Sequence, residues 1–457
     1  MLAFTRKPNS AALAFIIAGS VWFVVGTIYG LFSAIHLVSP EFFDNIPALV
    51  FGRTRAIHVN TVLYGFVGSL LIGLGMYYTP ALLKRRIWSE QLGWLSFMFW
   101  TVTVLSGPIT FSMGMSQGRE YTEYLWIFDV SLVLAVLTMV VNMVMTILRR
   151  KENLLYVSVW YFTATFLWVG GSYFLGNVMW NPSTGALPGI LDSIFHWFWG
   201  HVLPGLLLTP MAVGVAYFVI PRITRTPLYS HTLSILGFWT LVVFYSHIGG
   251  HHIVQAPMPN WLKMISAVDS MFMFLPVIIV IVNLWMTWRG KGGRIFGDPA
   301  GKWIALGLFW YLIVGAQGSL QSLPEMQVIT HFNNWTVGHA HIAILGFSGF
   351  LAIGGLWHIL PMITRRQLYS KKLVEVQFGL VMIGLTGFFI VLTIAGLIQG
   401  ESWYNGEVIY RVLPELDAYM VLRAALGMFI IFGAFIGLYN VIMTIKKGKP
   451  IDSVEHN

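Results

Sequence analysis

The chain has 457 residues, of which 57% are hydrophobic and 10% charged; its mean hydropathy is +0.73. A soluble chain carries roughly 25% charged residues, so this composition excludes a soluble enzyme and identifies an integral membrane protein. With no cysteine there are no disulfides, no thiolate-bound zinc and no cysteine-ligated iron–sulfur cluster, and any metal must rest on histidine or oxygen.

Apolar windows long enough to cross a bilayer, about 20 residues, fall at 13–36, 58–80, 92–113, 125–148, 154–180, 195–220, 230–250, 266–288, 302–323, 334–361, 374–398 and 418–445. They predict an all-α, polytopic membrane protein of about twelve transmembrane helices. No stretch reads as a soluble domain or linker, so residues 1–457 form one integral-membrane catalytic domain. Arg6 and Lys7 precede the first window without a small-residue cleavage site, which reads as a retained first span. Glycines cluster at Gly65, Gly68, Gly73 and Gly75 and at Gly346, Gly349, Gly354 and Gly355, as expected where helices or flat cofactors approach closely.

The net charge of +9 is distributed by loop. Basic clusters occur at Arg6/Lys7, Lys84–Arg86, Arg149–Lys151, Arg222/Arg225, Arg289/Lys291/Arg294, Arg365/Arg366/Lys371/Lys372 and Lys446/Lys447/Lys449. The alternate loops hold Glu41 and Asp44, Glu120 and Glu123, Asp192, Glu325, and Glu401 with Glu407. By the positive-inside rule both termini are cytoplasmic. The charge is topological, and nucleic acid is not expected as a partner.

Histidine inside a membrane segment marks a functional site by default. His339 and His341 open the tenth window in Trp335-Thr-Val-Gly-His-Ala-His341. Two residues apart on a helix they point about 200° from each other, so one metal cannot use both, whereas two cofactors on opposite sides can. His58 opens the second window, His201 lies early in the sixth, and His251 and His252 end the seventh. The topology brings all six to the outer third of the membrane. His58 with one tenth-helix histidine can ligate a six-coordinate haem. The other can hold a second haem from one side, and His201, His251 and His252 offer three imidazoles to copper, zinc or iron.

These stretches carry a resemblance. Phe51 through His58-Val-Asn60, Gly200-His201, Ser234 through Trp239, Tyr245 through His251-His252, and Asn334 through His341 resemble the catalytic subunit of haem–copper oxygen reductases. The similarity is to the cbb3-type (C-family) cytochrome c oxidases. It spans nearly the whole chain. It implies His58 and His341 as axial ligands of a low-spin haem b, His339 as proximal ligand of a high-spin b-type haem, and His201, His251 and His252 as copper ligands. It also implies that Tyr245, six positions before His251 and nearly two turns earlier on the same helix, is joined covalently to His201 and supplies an electron and proton for O–O cleavage. The resemblance makes Glu120, in Gln117 through Trp126, a ligand of calcium, which takes oxygen donors. Arg53, Arg55, Arg411 and Arg423 either pair with haem propionates or snorkel. His331 is placed near a haem edge, and His36, His196, His247 and His358 are structural, His196 being the rival to His201.

A proton path is expected along Thr209, Tyr217, Ser234 and Tyr245, the first two eight apart on one helix face. Two positions depart from the family pattern: Gly237 where a histidine is usual, and Gln317 where a glutamate is usual. The expected activity is reduction of O2 to water in a bacterial inner membrane, coupled to proton translocation. The chain has no Cys-x-x-Cys-His, so c-type cytochrome subunits and cytochrome c as donor are implied partners. The alternative is a nitric oxide reductase with non-haem iron, whose pattern places a glutamate where Gly205 stands. A plain di-haem cytochrome leaves the His251-His252 pair unexplained, and a transporter leaves six histidines at one depth unexplained.

Overall fold

The structure is a computed structural model that describes residues 7–43, 45–179 and 187–451; Arg6 and Asp44, assigned above to a basic and an acidic loop, lie outside the described residues. Twelve long helices occur among the described residues. They are α1 Ser10–Val38, α2 Phe51–Leu82, α3 Glu90–Ser112, α4 Trp126–Leu148, α5 Val157–Tyr173 continued by the π-helical turn Phe174–Val178, and α6 Ile190–Thr224. They continue as α7 His231–Tyr245, α8 Asn260–Trp288, α9 Pro299–Gln321, α10 Asn334–Thr364, α11 Lys371–Tyr404 and α12 Ile409–Lys447. No strand occurs among the described residues; Arg366 and Pro450 form an isolated bridge. The break of α8 at Met273 follows from Pro276, whose ring clashes with the carbonyl four residues earlier.

Two boundaries differ from expectation in ways that matter. Helix α2 opens at Phe51, which puts His58 two turns inside it rather than at its start. Helix α7 ends at Tyr245, and His251 and His252 ride on a separate 3₁₀ segment, Ile248–Ile253, rather than on α7. The cause is Gly249. A Cβ there would stand 2.2 Å from the carbonyl oxygen of Trp197, so this backbone lies directly on α6, an approach only glycine permits. Tyr245 and His251 therefore do not share a helix face.

The three helices α2, α6 and α10 form the interior. Their apolar windows are 89%, 94% and 83% buried, against 28–50% for the other seven candidate spans. These three carry His58, His201 and His339/His341. In each, a π-helical stretch begins within three residues of the histidine: Thr61–Gly68, Leu203–Leu208 and Ile342–Gly349. Such stretches gather at functional sites because the widened turn re-aims side chains.

The likeness of these helices extends to a threefold internal repeat with a period of about 140 residues, absent from the hydropathy reading. Pro80, Pro221 and Pro361 stand in their last turns, and Lys84, Arg225 and Arg365 follow at positive φ. The next helix is then capped by Ser89, Ser230 or Ser370, whose side chain accepts from the backbone N–H of Leu92, Leu233 or Leu373. An Asn and a Thr four apart on the following helix pin each cap. Asn142, Asn283 and Asn440 accept from the serine N–H and donate to its carbonyl. Thr146, Thr287 and Thr444 accept from the N–H of the preceding residue. Spacing of four puts each pair on one face.

Asn440 is fully buried, so Asn440→Ala strips both cap groups of Ser370 of partners at a cost of roughly 1–3 kcal/mol per group. The expected result is a lower unfolding midpoint for the purified protein, read by thermal scanning; an unshifted midpoint would show that the clamp contributes nothing.

Candidate metal centre

Five of the six histidines fall into a pair and a group of three, with His339 separate from both. The rings of His58 and His341 face each other with centroids 6.1 Å apart and planes 19° from parallel. That gap is too wide for stacking, but it fits one metal between two imidazole nitrogens, each bond being roughly 2 Å. His58 donates Nδ1–H to the carbonyl of Gly26 at 2.7 Å, and His341 to that of Val337 at 2.8 Å. A carbonyl can only accept, so both rings carry their proton on Nδ1 and turn the Nε2 lone pair free. This pair can hold a bis-histidine haem.

His339 looks away from that pair, as its position two residues earlier requires. Its ring stacks on Trp335 at 5.7 Å, and Nδ1 meets Oε1 of Gln317 on α9 at 3.2 Å. Nε2 is again left as the lone pair, fit to hold a haem from one side. Gln317 is thus a hydrogen-bond partner of a candidate metal ligand, a role the sequence did not indicate.

The ligand atoms of His201, His251 and His252 all lie within 4.8 Å of one another, the one such group of three or more His, Asp or Glu among the described residues. Nδ1 of His201 is 2.9 Å from Nε2 of His252. Ser270 decides the tautomer of His251. Its hydroxyl donates to the carbonyl of Ser266 at 2.5 Å and so can only accept from Nδ1 of His251, at 2.7 Å. Partners of this kind orient metal-binding imidazoles and raise their basicity. Gln327 donates to the His251 carbonyl at 2.7 Å, and Trp197 stacks on His252 with centroids 4.4 Å apart. Three neutral imidazoles with converging nitrogens suit copper, zinc or iron. Ser270, Gln327 and Trp197 were missed because no local motif marks them.

Tyr245 reaches this group from the last turn of α7. Its ring lies 4.4 Å from that of His201, 13° from parallel, and Nε2 of His201 has no partner among the described residues. The phenol fills the place where residue 205 would have a side chain: a Cβ on Gly205 would fall 1.5 Å from Cε1 of Tyr245. No acid, nor any other side chain, can coexist with Tyr245 there.

Of the arginines, Arg53 is spent on the carbonyls of Pro47 and Ser112, and Arg55 pairs with Glu120. Arg411 is exposed in the turn that opens α12. Arg423 stands apart. It reaches Asn334 Oδ1 at 3.3 Å, lies over Phe388, which packs on His341, and keeps a buried Nε without a partner among the described residues. Glu120, the residue expected to hold calcium, stands in the outer loop with its carboxylate against Arg55. Burial pushes the neighbouring Glu123 carboxyl up to about 7, against the 2.5 Å hydrogen bond from Asn60. His331 lies near His251 and His252, and burial pushes its pKa down. His36, His247 and His358 make structural contacts with Leu49, Asp269 and Tyr78; His196 is buried outside the three-histidine group.

The proton-path residues are only partly linked. Tyr217 accepts a 3.4 Å contact from Asn283. The hydroxyls of Thr209 and Ser234 donate to their own helices, at Pro204 and His231. Tyr311 on α9, which the sequence reading passed over, lies within electrostatic reach of both Tyr217 and Tyr245.

The profile of the family Cytochrome C and Quinol oxidase polypeptide I matches residues 10–429. The chain belongs to that family. Among relatives of this polypeptide I, a cytochrome c oxidase subunit 1 homolog of Agrobacterium tumefaciens is 29% identical over 94% of this chain and 82% of its own length. The cbb3-type cytochrome c oxidase subunit CcoN1 of Stutzerimonas stutzeri is 28% identical over 96% and 95%. A heme–copper terminal oxidase solved as a dimer by cryo-EM shares the fold, with TM-score 0.82, 17% identity and coverage of 98% and 85%.

Gln317→Glu replaces a neutral acceptor at His339 Nδ1 with an anionic one, which would make the imidazole a stronger donor to an iron bound there and lower the potential of a haem it held. Spectroelectrochemical titration of the purified protein should register a downward shift of one haem; no shift would mean that Gln317 does not act through His339.

Proposed function

We propose that this polypeptide I is the catalytic subunit of a bacterial inner-membrane terminal oxidase of the cbb3 type, with both termini cytoplasmic. Electrons come from cytochrome c through c-type haem subunits of the same complex, since the chain has no cysteine to attach a haem of its own. His58 and His341 would hold low-spin haem b, His339 a high-spin b-type haem, and His201, His251 and His252 copper. Glu120 would lend its carboxylate oxygens to calcium beside Arg55. When bound, the haem iron and the copper would supply the electrons and the metal site for reduction of O2.

The residues of the chain do the rest. Nδ1–H bonds to Gly26, Val337, Gln317 and Ser270 hold four imidazoles as neutral ligands aimed by Nε2. Tyr245 keeps a proton on its hydroxyl beside His201, placed to give hydrogen to the oxygen undergoing cleavage, and Tyr217 with Tyr311 leads protons toward it from the cytoplasm. Arg423 supplies the buried positive charge for a haem propionate. The observation that carries this reading is the exclusion of any side chain at Gly205 by Tyr245. A nitric oxide reductase needs a carboxylate on a non-haem iron at that position, and the phenol stands in its volume.

Metal analysis of the purified complex should find one copper per two haems; additional non-haem iron without copper would replace this reading with the reductase. Tyr245→Phe should abolish O2 turnover while the haem spectra persist, and near-normal oxygen uptake would remove Tyr245 from the chemistry.

A further inference from the structure

We infer that Tyr161 on α5 relays protons at the cytoplasmic entry of the path to Tyr245, a role that rests on the oxidase reading above. The residue is fully buried, yet its hydroxyl has no hydrogen-bond partner among the described residues. A buried polar group left unpaired is costly, and such groups are ordinarily satisfied by protein or by ordered water. The ring explains where that water belongs. Tyr161 lies nearly parallel to Tyr217, with centroids 5.8 Å apart, and edge-on to Phe238 at 5.3 Å. Its hydroxyl faces α7 at Gly237, where a Cβ would come within 3.7 Å of the oxygen. Ile279 Cγ2 and Val280 Cγ2 border the same position at 3.1 and 3.5 Å, so the phenol oxygen stands between the Gly237 backbone and these two side chains of α8.

Depth along the helices orders the candidates. At about 1.5 Å per residue, Tyr161, Tyr217, Ser234 and Asn283 lie roughly 5–10 Å in from the basic ends of their helices. By the same rise Tyr311 and Tyr245 lie about 18–21 Å in. Two levels result, and within the lower one Tyr161, about 6 Å in, lies on the cytoplasmic side of Tyr217, about 10 Å in, with Tyr311 above both. Thr209 and Ser234, by contrast, commit their protons to their own helices. In each transfer the Tyr161 oxygen accepts a proton through its lone pair from the cytoplasmic side. It gives the proton it carried onward on the Tyr217 side, so the hydroxyl is re-formed neutral and no electron moves.

The test uses the intact complex with Tyr161→Phe. This change removes an oxygen that bonds to no described residue, so a mere packing role predicts the wild-type rate. The relay predicts unaltered haem spectra and copper content, O2 turnover slowed roughly tenfold, and a larger solvent deuterium isotope effect. Turnover at the wild-type rate with the wild-type isotope effect overturns the proposal. Should Tyr161→Phe lose its haem, Gly237→Ala decides: its methyl comes to 3.7 Å from the Tyr161 oxygen and crowds it, and wild-type turnover there overturns the proposal equally. The comparison is made in preparations where the wild type consumes O2 and Tyr245→Phe does not. A wild-type complex without copper or oxygen uptake refutes the oxidase reading instead, so the two failures are distinct.

Discussion

The centre depends on which ring nitrogen carries the proton. Imidazole buried in a low-dielectric interior is neutral, and a neutral ring can bind metal only through the nitrogen that lacks hydrogen. His58, His341, His339 and His251 each place Nδ1 against an acceptor supplied by the fold: two backbone carbonyls, one amide oxygen and one serine hydroxyl whose own proton is already committed. Without these bonds either tautomer would serve, and the lone pairs would not converge. His201 is the exception: its Nδ1 points into the three-histidine group while Nε2 stands free beside Tyr245.

Convergence on this scale needs a scaffold that delivers several helices to one level, and the threefold repeat provides it. Each unit sends one helix through the interior, stops it with a proline in the last turn, and clamps the next helix start with a buried Asn and Thr. In a bilayer the hydrophobic effect does not drive helices together, so close packing and such hydrogen bonds carry the association. The π-helical stretch beside the histidines of α2, α6 and α10 then adjusts side-chain direction without moving the helix ends.

Steric exclusion separates two chemistries that this scaffold can host. A ring from α7 and a side chain at residue 205 of α6 compete for one volume, and glycine at 205 cedes it to Tyr245. At residue 237 a second glycine lies beside the unpaired hydroxyl of Tyr161 from α5, with Ile279 and Val280 of α8 closing the same position.

The sequence by itself determined the membrane class, the twelve spans, the alternation of basic and acidic loops and the divergence of His339 from His341, because hydropathy, charge and helical angle are local properties of the chain. The internal repeat was also written there, in the recurrence of the proline-ended helix and the Ser cap, but a hydropathy window averages those single residues away. Tertiary structure alone decided that α7 stops at Tyr245, since the stop comes from Gly249 lying on the backbone of a different helix. It alone divided the arginines, leaving Arg423 beside His341 while Arg53 and Arg55 are consumed by Pro47, Ser112 and Glu120. It alone revealed Gln317, Ser270, Tyr311 and Tyr161 as neighbours of the chemistry. Each acts across a gap between helices distant in sequence, and no spacing along one helix encodes what faces it from another.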